Sequence, residues 1–158
     1  MREESFSIRP ATNENINQIK SFVFSVLNEY DLEPDPSKTD ADLNDIEANY
    51  FKRDGWFEIV EDKEGNLLGT VGIYPIDLHT CELRKMYFAP QLRGKGLGRE
   101  VLERTVKQAK TLGFTRMTLE TASVLREAIN LYERFGFRPF KPEHMAERCD
   151  QAYVLDLY

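Results

Sequence analysis

The sequence predicts a single α/β domain spanning residues 1–158, with a mixed sheet flanked by helices. Three observations carry this. In the first half, short segments with period-two alternation meet at turn residues, the pattern of antiparallel strands. In the second half, a strong helical pattern separates two strand patterns, and such a β-α-β crossover makes one parallel pair. No internal repeat, low-complexity run or interdomain linker divides the chain.

Residues 6–9 alternate apolar and polar and form a first short strand. Thr12 is placed to cap a helix whose apolar face is Ile16, Ile19, Val23, Val26 and Tyr30. Residues 31–38 hold two prolines among acids and form a loop. A second short helix spans 40–51, with Leu43, Ile46 and Tyr50 inward. Residues 56–61 are a strand, 63–66 a hairpin turn and 67–74 the return strand. A loop at 75–80 leads to a strand at 82–88, which stops at Pro90 because proline cannot extend a ladder. The helix at 98–112 sets Val101, Leu102, Thr105, Val106 and Ala109 on one face, and Gly113 stops it. A strand at 116–120, a helix at 125–135 ended by Gly136, and strands at 137–140 and 152–157 complete the chain.

The chain is 41% hydrophobic and 30% charged, a balance suited to a soluble globular domain. Cys81 and Cys149 lack metal-ligand spacing and suggest no disulfide framework. His79 and His144 are far apart and read as ordinary loop residues, so no metal is expected. Cys81 reads as a small apolar residue. Residues 1–7 are polar, and no apolar run approaches a membrane span, so a cytoplasmic location without membrane contact is the expectation. The net charge of -6 argues against nucleic-acid binding. Within that total, residues 31–64 are strongly acidic and residues 91–110 basic, and the basic stretch suits a small polyanion.

Chemistry concentrates in Gln91-Leu92-Arg93-Gly94-Lys95-Gly96-Leu97-Gly98-Arg99, which follows a strand and opens a helix. Glycines let backbone N–H groups approach a ligand. The helix N-terminus adds unsatisfied donors and a partial positive charge. Arg93, Lys95 and Arg99 add full charges, and the combination binds a pyrophosphate. A Walker A loop would need G-x-x-x-x-G-K-[ST], which is absent. A dinucleotide fold would need G-x-G-x-x-G, whereas Gly94, Gly96 and Gly98 form G-x-G-x-G. Glu120 does close the next strand at a suitable distance, but the unit starts past mid-chain and leaves no room for a doubly wound sheet.

Residues 91–96 match the [QR]-x-x-G-x-[GA] signature of the GNAT superfamily of N-acetyltransferases, and the chain resembles that superfamily beyond those residues. Residues 83–90, L-R-K-M-Y-F-A-P, resemble the strand and proline that lead into its loop. Residues 131–137, L-Y-E-R-F-G-F, resemble its L-Y-x-x-x-G-F segment, and residues 6–10 its opening strand. The resemblance is specific over 81–140 and topological before that. It implies an acetyl-CoA-dependent acyltransferase with a twisted, V-splayed sheet, in a superfamily where homodimers are common. It implies that Arg93, Gly94, Lys95, Gly96, Leu97, Gly98 and Arg99 hold the pyrophosphate, largely through backbone N–H groups. The edge of Met86, Tyr87 and Phe88 would bind the pantetheine where strands 82–88 and 116–120 part, and Tyr132 would face the sulfur. Leu125 stands where many members carry a pantetheine-contacting asparagine, which makes Ser123 the candidate replacement.

An amine must lose a proton before it attacks a thioester, and the departing thiolate gains from receiving one. Glu82 and Glu120 both stand where members of the superfamily place a catalytic glutamate, and Tyr132 is the candidate acid. Strand alternation predicts Glu82, Arg84, Met86 and Phe88 on one face. Arg84 would then orient Glu82, lower its basicity or bind an acceptor's carboxylate. Each residue also has a structural reading: Glu82 paired with Arg84, Glu120 capping a turn, Tyr132 in the core. The expected function is an acetyl-CoA-dependent N-acetyltransferase acting on a small amine or amino-acid-like acceptor. A protein lysine or N-terminal acetyltransferase, and a non-catalytic CoA-binding sensor of the same fold, are the alternatives. The acidic 31–64 stretch is expected to rim the acceptor pocket.

Overall fold

A computed structural model describes residues 6–158. The chain runs β1 (Phe6–Pro10), α1 (Ile16–Glu29), α2 (Ile46–Asn49), β2 (Trp56–Asp62), β3 (Leu67–Pro75), β4 (Thr80–Phe88), α3 (Leu97–Thr111), β5 (Arg116–Thr121), α4 (Arg126–Phe135), β6 (Arg138–Pro139) and β7 (Gln151–Asp156). The strands form one sheet in the order β1-β2-β3-β4-β5-β7-β6. Only β4 and β5 are parallel, as the crossover through α3 requires. Among the described residues no helix is long and apolar enough to cross a membrane.

Local chemistry sets most boundaries. The Thr12 hydroxyl accepts the Glu14 N–H and the Asn15 carboxamide accepts the Thr12 N–H at 2.9 Å, a reciprocal cap that starts the chain toward α1. The β2–β3 turn closes on the Asp62 carboxylate, which accepts the Glu64 and Asn66 N–H groups. Helices α3 and α4 both end at left-handed glycines, Gly113 (φ 99°) and Gly136 (φ 118°). The expected strand at 137–140 shortens to Arg138–Pro139, which pair with Val154 and Tyr153.

The sheet separates two cores. On one face, α3 and α4 lay Val101, Leu102, Ala109 and Tyr132 over Cys81, Leu83, Met117 and Leu119. On the other, α1 and the 43–50 segment lay Ile19, Val23, Leu27, Leu43, Ile46 and Tyr50 over Phe57 and Ile59. The single helix expected over 40–51 is instead a 3-10 turn, the short α2 and a second 3-10 turn. Asp45 breaks it. Its backbone is extended (φ -154°) and its carboxylate accepts the Ala48 N–H at 2.9 Å, which makes it an N-cap inside the apolar pattern. Leu43, Ile46 and Tyr50 are nevertheless fully buried, as their spacing predicts.

One expectation fails on β4. Thr70 pairs with Tyr87 and Gly72 with Arg84, so one residue of β3 faces two of β4. This β-bulge centres on Lys85, which is left-handed at φ 55°. Alternation is therefore reset. Arg84, Lys85 and Tyr87 face the α1 side, while Met86 and Phe88 pack against the α3 side. Glu82, Arg84, Met86 and Phe88 do not share one face, because an extra residue inverts every side chain after it.

Candidate active site

Strands β4 and β5 pair only at Thr80 to Glu82 against Arg116 to Thr118. Beyond that, β4 stays with β3 and β5 with β7, so the sheet splays and opens a cleft of about 1120 Å³. The 30–39 segment, the start of α3, the inner side of α4 and the 144–149 loop complete its walls.

At one end lies the glycine turn. Gly94 (φ 74°) and Gly96 (φ 80°) are left-handed, and a Cβ at either would meet nothing within 4 Å. Backbone conformation, rather than space, calls for glycine at both positions. Gly96 is the N-cap of α3 and no side chain caps that helix, so its first N–H groups stay available to a ligand. At Gly98 the requirement is close packing, since a Cβ would sit 3.2 Å from Leu131. This arrangement fits a pyrophosphate, and Met86, Tyr87 and Phe88 line the same cleft along the unpaired edge of β4.

The cations divide. The Arg93 guanidinium binds Glu29 of α1, donates Nε to the Phe88 carbonyl at 3.0 Å and lies over the Tyr30 ring. Its charge fastens the turn to α1. Arg99 lines the cleft beside Glu103, and Lys95 is exposed outside the lining. Ser123, the candidate replacement for the asparagine, stands outside the cleft lining, and its hydroxyl donates to Asp150 at 2.7 Å. Leu125 does line the cleft.

Tyr132 stands midway. Its ring is buried against Phe137, and its hydroxyl has no hydrogen-bond partner among the described residues and opens on the cleft. Burial pushes its phenol well above the ordinary range, and neighbouring Tyr87 adds to the shift.

The two glutamates meet across the splay. Glu82 is ion-paired with Arg84, whose guanidinium lies 3.7 Å above the Tyr74 ring. Glu120 accepts the Ala146 N–H at 2.9 Å from the loop before β7. Burial raises the Glu120 carboxyl above its ordinary range against that hydrogen bond, and the Glu82 charge raises it further. Cys149 lines the same wall with a thiol pushed up by burial to about 11, whereas Cys81 packs in the core as expected. His144 is a loop residue as expected, and it also lines the cleft.

Sequence reasoning missed a charged cluster beneath this wall. Arg148 grips Asp40 with two hydrogen bonds of 2.7 Å. Lys85 Nζ lies 3.2 Å from both Asp40 and Asp42. Tyr50 donates its hydroxyl to Asp42. Burial works against the Asp40 charge, but Arg148 and Lys85 outweigh it and hold the carboxyl below the ordinary range. Two adjacent cations, Arg84 and Lys85, within an otherwise alternating strand were the available signal. The acidic 31–64 stretch therefore rims the cleft differently from expectation. It contributes Leu32, Lys38 and Thr39, while Asp40 and Asp42 are turned onto buried cations.

Residues 21–137 match the Acetyltransferase (GNAT) family. The chain is 38% identical over 141 residues to the uncharacterized N-acetyltransferase YjgM of Escherichia coli, covering 87% of this chain and 80% of that protein. Its fold superposes with a TM-score of 0.90 on a GNAT-family acetyltransferase from Staphylococcus aureus, at 23% identity over 97% of this chain and 99% of that one. It superposes with a TM-score of 0.72 on an acetyltransferase with acetyl-CoA from Clostridium acetobutylicum, at 20% identity over 89% and 94% of the two chains. A glycine turn at an uncapped helix N-terminus, a splayed parallel pair and a match over most of the chain agree: the protein belongs to the GNAT family of acetyltransferases.

Proposed function

We propose that the protein transfers an acetyl group from acetyl-CoA to the amine of a small acceptor that also carries a carboxylate. The observation that carries this is one cleft holding the glycine turn, the unpartnered Tyr132 hydroxyl and the Glu82–Glu120 pair.

When bound, acetyl-CoA supplies an acyl thioester open to attack by an amine, with a thiol as leaving group. The N–H groups at 96–99 hold its pyrophosphate, Arg99 adds charge, and the edge of Met86, Tyr87 and Phe88 aligns the pantetheine. A backbone N–H at the splay polarises the carbonyl. Glu120 takes the proton of the acceptor ammonium, directly or through a water. Its raised basicity favours it over Glu82, which is committed to Arg84. Burial keeps the Tyr132 phenol protonated until the thiolate forms; Tyr132 then gives its proton to the departing sulfur as the acylated nitrogen sheds its second proton, which returns through solvent to the phenolate.

Arg84 supports the choice of acceptor. It lies on the Glu82 wall with its face over Tyr74, and the terminal N–H edge of its guanidinium suits capture of a carboxylate. Among the described residues no acid of 31–64 lines the cleft, and Asp40 and Asp42 are paired with buried cations, which weakens the case for a polycation. A thiol-release assay across amino acids, simple amines and polyamines tests the reading. Amino-acid-like acceptors should release CoA, and Arg84→Ala should raise their KM while leaving that of simple amines unchanged. No release with any amine would sink the enzymatic reading, and release with polyamines alone would sink the acceptor class.

A further inference from the structure

We propose that Lys85 is a positioning residue for acetyl transfer: its buried ammonium locks the β4 bulge, and the bulge decides which side chains and which stretch of strand edge face the donor. The inference rests on the function proposed above.

The bulge is held from both sides of one residue. The Thr70 hydroxyl donates to the Lys85 carbonyl at 2.6 Å. The Lys85 ammonium lies 3.2 Å from Asp40 and from Asp42 and donates to the Thr39 carbonyl at 3.3 Å. With Arg148 the cluster holds two cations and two anions, and its side chains are nearly closed to solvent, from 0% exposed at Asp40 to 11% at Arg148. A left-handed backbone is unfavourable for lysine, so something must hold it there. An ammonium caged by two carboxylates can do so, because drawing it back into an ordinary strand would leave buried charges unmatched.

The consequence reaches the cleft. With the extra residue in place, Met86 and Phe88 lie on the α3 side and Tyr87 on the α1 side. Without it, a slip of one residue would exchange them and move the edge expected to align the pantetheine. The same Asp40 also holds Arg148, in the loop whose Ala146 N–H holds Glu120. One cluster thus ties the donor edge to the wall that carries the base.

The test separates the backbone lock from mere stability. Lys85→Met, Lys85→Gly and Lys85→Asn are each combined with Asp42→Asn, so the cluster stays charge-balanced in all three. Glycine and asparagine tolerate the left-handed backbone and methionine does not. The methionine pair should turn over at least about tenfold more slowly than the glycine pair, in line with the left-handed penalty for a side-chain-bearing residue. The glycine pair should melt no higher, since glycine weakens a strand. The asparagine pair should turn over near the glycine pair. Equal turnover in all three, or turnover that simply follows melting temperature, would overturn the proposal. Wild-type thiol release establishes the reaction. If it is absent, the proposed function fails, while the lock is still read from the rise in melting temperature with acetyl-CoA: glycine and asparagine pairs keep it, and the methionine pair loses it. A rise retained in the methionine pair would overturn the lock.

Discussion

The two halves of the cleft are built by different physics. The glycine-turn half uses mostly contiguous residues, the 94–98 turn and the N-terminus of α3, closed by the α3–α4 contact at Gly98 and Leu131. Its pieces are backbone conformation and apolar packing. The wall of the β4 bulge and the 144–149 loop is assembled from three distant segments, with Arg148 reaching 108 residues back to Asp40 and Lys85 reaching 43 back to Asp42. Its pieces are buried charges. The contrast teaches that the glycine-turn half should tolerate substitutions that spare its backbone, whereas the charged wall should fail when any one ion is removed.

The largest expected effect lies on the seam. Tyr132 has its ring in the α3–α4 core and its hydroxyl on the cleft. Tyr132→Phe should lower kcat by roughly 10²–10⁴-fold, the usual worth of a positioned acid, while the acetyl-CoA-induced rise in melting temperature persists. Wild-type turnover in steady-state assays would reduce the residue to core packing.

The next effect contrasts the halves directly. Arg148→Met leaves Asp40 buried with Lys85 alone and should cost about 3–5 kcal/mol in denaturant unfolding, as breaking a buried pair does. Gly96→Val asks a β-branched residue to adopt φ 80° and should cost only about 1–2 kcal/mol. That variant should instead lose stabilisation by acetyl-CoA, which for wild type is about 2.7 kcal/mol at 100 times the dissociation constant. If Gly96→Val unfolds the protein more than Arg148→Met, the division between conformation and charge is wrong.

The smallest effect concerns Glu120. Its folded-state carboxyl titrates above the ordinary value, so the folded state favours the protonated form. The stability this gives is present below the unfolded pKa and is lost as pH rises through the folded one. Glu120→Gln keeps an acceptor for the Ala146 N–H without the charge. Its melting temperature should match wild type at low pH, gain on it as pH rises from the unfolded to the folded pKa and keep a constant lead above that, while activity falls. Melting curves taken across that window that stay parallel would show that Glu120 ionises freely.

Much of the fold was legible in the sequence because its causes are local. Val101, Leu102, Thr105, Val106 and Ala109 are all buried because helical spacing alone puts them on one stripe. Gly96, Gly113 and Gly136 sit at helix ends because only the short-range sterics of their own backbone are involved. The glycine turn and Tyr132 belong to the same class, and the cleft brings them together.

What only the tertiary structure decided has partners far along the chain. The adjacent Arg84 and Lys85 hint that alternation breaks, but nothing near them names the two aspartates that cage the ammonium, so alternation misassigned Met86 and Phe88. Asp45 reads as one more acid in a helical pattern until Asn13 donates to it across 32 residues and it becomes a cap. Glu82 and Glu120 come together because β4 and β5 pair in register for three residues and then part. Periodicity reports which face a side chain takes while its backbone stays regular. Electrostatic attraction acts through space, and here two distant aspartates meet the ammonium of the one residue where β4 turns irregular.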